Sequence, residues 1–96
     1  MISKAIITEK GYADLKSIRK WYDENSVEAA NRFLNEISVY SKKIMTSPFQ
    51  CQIVAPGVRR SLLKTFPYVI YFIIERESIV LLRVRHKKQK MLKRFK

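Results

Sequence analysis

Two apolar runs, Tyr68–Ile74 and Ile79–Leu82, dominate the hydrophobic pattern of the chain. Both are rich in β-branched and aromatic residues, and only the short charged segment Glu75–Ser78 separates them. This pattern predicts a β-hairpin with strands Tyr68–Glu75 and Ser78–Arg85. The middle of each run is apolar at successive positions, as in central strands of a sheet that is covered by helices.

A third strand is predicted just before the hairpin, from Arg59 to Phe66. Its side chains alternate between the two faces of a sheet, so that Arg60, Leu62 and Lys64 share one face. Pro67 ends this strand because proline has no N–H to donate to a neighbouring strand.

Two helices are predicted in the first half of the chain, Glu9–Glu24 and Val27–Met45. Thr8 and Ser26 precede them as N-cap residues, whose side chains accept a hydrogen bond from a first-turn N–H. The connection of one or two residues between the helices predicts an antiparallel hairpin. Apolar residues recur at helical spacing in both helices: Leu15, Ile18 and Tyr22 in the first, and Ala30, Phe33, Leu34, Ile37, Tyr40 and Ile44 in the second.

The remaining segments complete the order of elements. Ile2–Ile7 is short and mostly apolar and predicts a first strand, whereas Phe49–Val58 contains the turn-forming pair Pro56-Gly57 and is expected to be a loop. The order strand–helix–helix–strand–strand–strand predicts an α+β fold, with a helix hairpin packed on a largely antiparallel sheet. At 96 residues, we expect a single domain, residues 1–96.

Charge is distributed unevenly along the chain. The net charge is +12, but residues 1–58 hold eight Lys or Arg against six Asp or Glu, whereas residues 59–96 hold twelve against two. Such a one-sided field attracts polyanions, which are nucleic acids, acidic membrane surfaces or acidic proteins. The basic tail, residues 87–96, is expected either to form one helical turn through Met91, Leu92 and Phe95 or to be disordered when the protein is alone.

Several functional classes have no support in the sequence. Cys51 is the single cysteine, so an internal disulfide is impossible, and we expect a free, unreactive thiol and no metal site. No segment is long and apolar enough for a membrane-spanning helix, and the start of the chain is a poor secretory signal. There is no Gly-rich phosphate loop and no Ser–His set, which argues against small-molecule metabolism and a small-molecule cofactor.

Five short motifs occur along the chain in a fixed order: Ala13-Asp14-Leu15 through Trp21-Tyr22, Ala30-Asn31-Arg32-Phe33, Pro56-Gly57-Val58-Arg59-Arg60, Phe66-Pro67-Tyr68-Val69-Ile70-Tyr71-Phe72 and Leu82-Arg83-Val84-Arg85-His86. In these residues, over almost its whole length, the chain resembles the RelE/ParE superfamily of toxins from prokaryotic toxin–antitoxin systems. The resemblance implies a cytoplasmic toxin that needs no metal. It also implies a cognate antitoxin, whose helix and extended segment wrap the toxin and hold it inactive.

The resemblance leaves the target open. RelE-like members cut mRNA in the ribosomal A site, whereas ParE-like members poison DNA gyrase. Our first hypothesis is a ribosome-dependent, metal-independent mRNA endonuclease that inhibits translation. The alternative is a gyrase inhibitor without catalytic activity of its own, and a third possibility is a nucleic-acid-binding module that is not toxic.

Three residues are candidates for catalysis, Arg60, Arg83 and His86. RNA cleavage without a metal needs a base for the 2′-hydroxyl, positive charge at the phosphate and an acid for the leaving oxygen. A guanidinium can hold two phosphate oxygens, and a histidine exchanges protons near neutral pH. By resemblance, these residues fall near positions where RNA-cleaving relatives carry catalytic groups. Contacts to the nucleic-acid backbone are expected from a second set: Arg59, Lys64, Arg85, Lys87, Lys88 and Lys90.

A purely structural role is the alternative for each candidate. The chain also differs from the RNA-cleaving relatives in the residues expected beside the site. Several of those relatives have a C-terminal tyrosine beside the site, and some have a glutamate base. Here the last tyrosine is Tyr71, inside a strand, and the only acids after Glu36 are Glu75 and Glu77 at the far end of the hairpin. We therefore expect neither a tyrosine nor a carboxylate beside the candidate catalytic residues, which favours the gyrase alternative.

Overall fold

The computed structural model describes residues 2–90 as a helix pair and one five-stranded sheet. Its elements are β1 (Lys4–Ile7), α1 (Glu9–Asn25), α2 (Val27–Thr46), a short 3-10 turn (Pro48–Gln50), β2 (Gln52–Ala55), β3 (Val58–Leu62), β4 (Tyr68–Glu75) and β5 (Ser78–His86). The strand order is β1-β5-β4-β3-β2, with β1 parallel to β5 and the other pairs antiparallel. The predicted α+β fold is confirmed, while the helical turn considered for residues 91–96 lies outside the described residues.

Both helices begin at the predicted caps. The Thr8 hydroxyl accepts a hydrogen bond from the Gly11 N–H at 3.0 Å, and the Ser26 hydroxyl accepts one from the Ala29 N–H at 3.2 Å. Each bond satisfies one of the N–H groups that the first turn of a helix leaves without an intrahelical partner. Ser26 alone separates α1 from α2, so the two helices form the predicted hairpin.

The helices pack on one face of the sheet only. The apolar face of α2 contributes Phe33, Ile37 and Ile44 to a core that includes Ile70 and Phe72 of β4. Neighbouring residues along a strand point to opposite faces of the sheet. The face away from the helices carries a second buried cluster, which contains no described helix residue: Val58, Val69, Tyr71 and Leu82. This arrangement confirms the predicted helix hairpin packed on the sheet, because a hairpin with a one-residue link keeps its two helices on the same side.

The start of α1 lies against the edge of β5 that faces β1. The Thr8 hydroxyl donates to the Leu82 carbonyl at 2.9 Å, and its backbone N–H donates to the Leu81 carbonyl at 3.0 Å. Gly11 makes this approach possible, since a Cβ at this position would lie 3.0 Å from the Leu81 carbonyl oxygen. β1 pairs with β5 only as far as Leu81. Beyond that residue, the start of α1 lies along the same edge of β5.

The strand β2 was missed by the sequence analysis, which expected a loop over Phe49–Val58. Residues 52–55 are too few, and too weakly alternating, to predict a strand alone. They pair with β3 because Pro56-Gly57 forms a tight turn, in which Gly57 has a φ of +73° that few other residues adopt.

β3 ends at Leu62 and not at Phe66 as predicted. One carboxylate oxygen of Glu36 on α2 accepts hydrogen bonds from the backbone N–H groups of Lys64 and Thr65, both at 2.8 Å. These groups are therefore bound to α2 and are not available to continue the ladder with β4.

Candidate functional site

The two candidate catalytic arginines lie in one row across the sheet. Arg60 on β3 is opposite Tyr71 on β4, and Tyr71 is opposite Arg83 on β5. Their backbones are therefore two strand spacings apart, or roughly 10 Å. Tyr71 between them is 6 % exposed. The predicted proximity of Arg60 and Arg83 thus holds for the backbone, so the side chains decide whether the two groups meet.

The Arg83 guanidinium is bound to a carboxylate of α1. Its Nε donates to Asp14 Oδ2 at 2.7 Å and its second terminal nitrogen donates to Asp14 Oδ1 at 3.0 Å. The Val84 backbone N–H also donates to Asp14 Oδ2, at 2.9 Å. These hydrogen bonds raise the pKa of Arg83 further above its ordinary value, and burial only partly opposes the increase. The pair joins α1 to the edge of β5.

Arg60 has a neutral partner on the neighbouring strand. Its Nε donates to the side-chain oxygen of Gln52 at 2.9 Å, and the two residues are register partners in β2 and β3. Arg60 is partly exposed. Of the two arginines, Arg60 therefore keeps more freedom to meet an external anion.

His86 lies in a different row. It is opposite Tyr68, three residues beyond Arg83 along β5, which corresponds to about 10 Å. The two positions differ by three, an odd number, so their side chains leave the sheet on opposite faces. The structure consequently does not bring Arg60, Arg83 and His86 into one cluster.

His86 has tyrosine neighbours that the sequence analysis did not expect. The rings of Tyr68 and His86 meet edge to face, with centroids 5.4 Å apart, and Tyr68 is also in contact with Tyr22 of α1. The expectation of neither a tyrosine nor a carboxylate beside the candidate residues was wrong, since Tyr68 contacts His86 and Asp14 binds Arg83. The turn at Glu75–Ser78 alone would place Tyr68 opposite Arg85. A register shift in the β4–β5 pairing between Tyr71 and Phe72 moves the partner of Tyr68 by one residue, to His86.

The protonation states around His86 follow from these contacts. His86 Nδ1 accepts a hydrogen bond from the Lys88 backbone N–H at 3.1 Å, which places the proton of the neutral ring on Nε2. Burial raises the pKa of both Tyr22 and Tyr68, and the hydrogen bond between their hydroxyls raises the pKa of Tyr22 further. Both tyrosines are therefore neutral at physiological pH.

The second set of predicted residues is dispersed around the sheet. Arg59 donates to the carbonyls of Phe49 and Cys51, at 3.3 and 2.8 Å, and lies over the Phe49 ring, so it holds the 3-10 turn against β3. Arg85 is partly buried, and its Nε is buried without a hydrogen-bond partner. The four lysines of the set are exposed: Lys64 after β3, and Lys87, Lys88 and Lys90 after β5.

Other site chemistry is weakly represented in the described part of the chain. Within residues 2–90 no three His, Cys, Asp or Glu side chains are grouped closely enough to hold a metal ion. Burial raises the pKa of the Cys51 thiol, against a smaller lowering by Arg59, so the neutral thiol is favoured. In the same range no helix has the length and apolar character needed to cross a membrane.

Comparisons with known proteins show that this α+β fold is that of a RelE/ParE superfamily toxin. A chain of a solved structure described as "Chromosomal ParDE TA system from P. aeruginosa" superposes with a TM-score of 0.77 at 27 % sequence identity, covering 90 % of this chain and 96 % of that one. A comparison with curated proteins gives no match.

The family can be stated more narrowly. The model of a family described as "ParE toxin of type II toxin-antitoxin system, parDE" matches residues 5–91. The chain belongs to this ParE toxin family and is a type II toxin.

Proposed function

We propose that this toxin arrests growth by binding DNA gyrase and that it has no bond-breaking chemistry of its own. Membership of the ParE family supports the choice of target. The observation that carries the proposal is the separation of the candidate catalytic groups. Arg60 and Arg83 lie in one row across the sheet and His86 lies in another, while the Arg83 guanidinium is hydrogen-bonded to Asp14.

Cleavage of RNA by these three residues would require a different arrangement. A general acid or base has to reach its proton over about 3 Å, and the phosphate has to lie against the cationic groups at the same moment. Arg83 would also have to release a carboxylate that holds it through two charge-assisted hydrogen bonds. A binding inhibitor needs none of this, because an intact surface is sufficient.

The test is a supercoiling assay with purified gyrase, relaxed plasmid and increasing toxin. We expect supercoiling to fall as toxin is added, and Arg60→Ala and His86→Gln variants to keep at least half of the inhibition per folded molecule. Lack of inhibition by a large molar excess of folded toxin would rule out gyrase as the target.

The mRNA endonuclease remains a second candidate because of one observation. His86 contacts Tyr68 at a strand end followed by exposed Lys87 and Lys88, and a His–Tyr pair beside lysines contains both an acid–base group and phosphate-binding charge. Its test is mapping of mRNA ends after induction. Cleavage within codons that is lost in His86→Gln and Tyr68→Phe, but kept in Arg83→Lys, would support this candidate over gyrase inhibition.

We further propose that a cognate antitoxin binds and inhibits the chain, which acts as a single domain in the cytoplasm without a small-molecule cofactor. The family assignment supports an antitoxin partner. The net charge of +12 favours a partner with an excess of carboxylates. Co-expression with the neighbouring reading frame should restore growth and give a complex that copurifies. Growth arrest that persists despite full expression of both proteins would exclude that reading frame as the antitoxin.

A further inference from the structure

We propose that the groove between α2 and the segment after β3 binds the sugar–phosphate backbone of a nucleic acid. The groove lining includes Lys64 of the second predicted set but none of the candidate catalytic residues Arg60, Arg83 and His86. The proposal goes beyond the gyrase assignment and does not depend on it, because it concerns a ligand that the isolated toxin should bind.

The groove is long and continuous. Two depressions of ≈ 450 and ≈ 360 Å³ lie along α2, and both are lined by Tyr40 and Lys43. Arg32 lines one end and Lys42 the other, while Lys64 lines the side that follows β3. Since Arg32 and Lys43 are eleven residues apart on one helix, the part of the groove between them is about 16 Å long at 1.5 Å per residue.

Its charge is almost entirely positive. The four cationic side chains, Arg32, Lys42, Lys43 and Lys64, are all exposed. The one acid of the lining, Glu36, is bound through its carboxylate to the backbone N–H groups of Lys64 and Thr65. Glu36 therefore already has hydrogen-bond donors and does not neutralise the lysine side chains by direct pairing.

One lysine is held at the centre of the groove. The Lys43 ammonium lies 4.7 Å from the centroid of the Tyr40 ring, where the two depressions meet. A cation over an aromatic face is restrained without losing its charge. The groove thus has a fixed central cation, with further cations on both sides.

This chemistry fits a phosphate backbone better than an acidic protein. A strand of B-DNA carries one phosphate per 3.4 Å of axis, so about five phosphates span 16 Å. Phosphates are contacted by Arg and Lys together with Asn, Thr and Tyr, and the lining also includes Asn35, Thr65 and Tyr40. A specific protein interface needs an apolar centre. Val39 is the one exposed large hydrophobic residue in the groove lining, and the other large apolar residues there, Tyr40, Ile44 and Phe66, are partly or fully buried.

The test compares two variants with the same loss of charge. The groove variant carries Arg32→Ala, Lys42→Ala, Lys43→Ala and Lys64→Ala. The control variant carries Lys4→Ala, Lys10→Ala, Lys16→Ala and Lys20→Ala, four exposed positions outside the groove. Binding of a labelled 20-base-pair DNA is measured by fluorescence anisotropy at several salt concentrations, with circular dichroism and urea midpoints to confirm folding.

We expect the groove variant to bind DNA at least tenfold more weakly than the control variant in about 0.1 M salt. The slope of log K against log salt should fall in magnitude by about 3 to 4, because each lost phosphate contact removes about 0.9. Unlabelled DNA should displace the probe far better than polyglutamate of equal charge.

Two results would overturn the proposal. Equal losses of affinity in the groove and control variants would mean that net charge alone attracts DNA. Displacement by polyglutamate as effective as that by DNA would mean that the groove recognises carboxylates as well as phosphates, as an acidic protein partner would require. If the toxin binds DNA but does not inhibit gyrase in the supercoiling assay, gyrase is rejected as the target and this proposal stays in place.

Discussion

Replacement of Arg83 by alanine separates a structural role from a functional one. The side chains of Arg83 and Asp14 are 21 % and 17 % exposed, and they form a bidentate pair at 2.7 and 3.0 Å. A hydrogen bond to a charged group contributes about 1.5–3 kcal/mol, and a buried pair broken on one side costs more than an exposed one. Because this pair is partly hydrated, we expect Arg83→Ala to lower the free energy of unfolding by about 2 kcal/mol.

The assay is urea unfolding of the purified toxin, followed by circular dichroism. A loss of about 2 kcal/mol corresponds to a fall in Tm of roughly 10 °C for a domain of this size. Asp14→Ala should cost at least as much, since it also leaves the Val84 N–H without its acceptor. The double variant should be less destabilised than the sum of the two single variants, with a coupling free energy of about 1–2 kcal/mol.

A matched control is present on α1. Arg19 and Asp23 form an ion pair at 3.6 Å with side chains 56 % and 40 % exposed. Such an exposed pair contributes about 0.3–0.5 kcal/mol, so Arg19→Ala should be nearly neutral. A change of less than about 0.5 kcal/mol in Arg83→Ala together with loss of growth arrest would contradict a structural role, because Arg83 would then act directly on the target.

Three further predictions concern stability. Because burial raises the pKa of Tyr22 and Tyr68 above the ordinary 10.0, the protein should lose stability as pH rises past about 10. Tyr22→Phe should make this loss smaller in urea titrations, and an unchanged dependence of stability on pH would contradict the raised pKa of Tyr22. Gly11→Ala should destabilise by about 1 kcal/mol, despite the better helix propensity of alanine, since its Cβ would lie 3.0 Å from a backbone oxygen; a higher Tm would show that α1 can move away from β5. Gly57→Ala should cost about 1–2 kcal/mol at a φ of +73°, whereas Gly57→Asn should cost less, and equal costs would argue against backbone strain.

Local patterns were sufficient to predict most of the fold. Cap residues and apolar stripes located α1 and α2 almost to the residue, because both signals depend only on neighbours within a turn or two. The apolar runs located β4 and β5 for the same reason. β2 was missed because a short edge strand is stabilised by its partner β3 and the Gly57 turn, and it has little pattern of its own.

The candidate site was less accessible to sequence analysis, because long-range contacts decide it. Asp14 and Arg83 are 69 residues apart in sequence, and no local pattern indicates that one neutralises the other. Glu36 of α2 is likewise distant in sequence from Lys64 and Thr65, the residues whose backbone N–H groups it binds where β3 ends. Tyr68 beside His86 was not predictable from the turn alone, because the register shift between Tyr71 and Phe72 decides which residue of β5 lies opposite Tyr68.

The most direct test of the central claim uses one induced culture, sampled as growth stops. Plasmid topology and mRNA ends are read from the same cells, with a non-induced culture as the reference. Inhibition of gyrase predicts relaxed plasmid or double-strand breaks while transcripts keep their normal ends. Normally supercoiled plasmid together with transcripts cut within codons would contradict gyrase inhibition and identify an mRNA endonuclease.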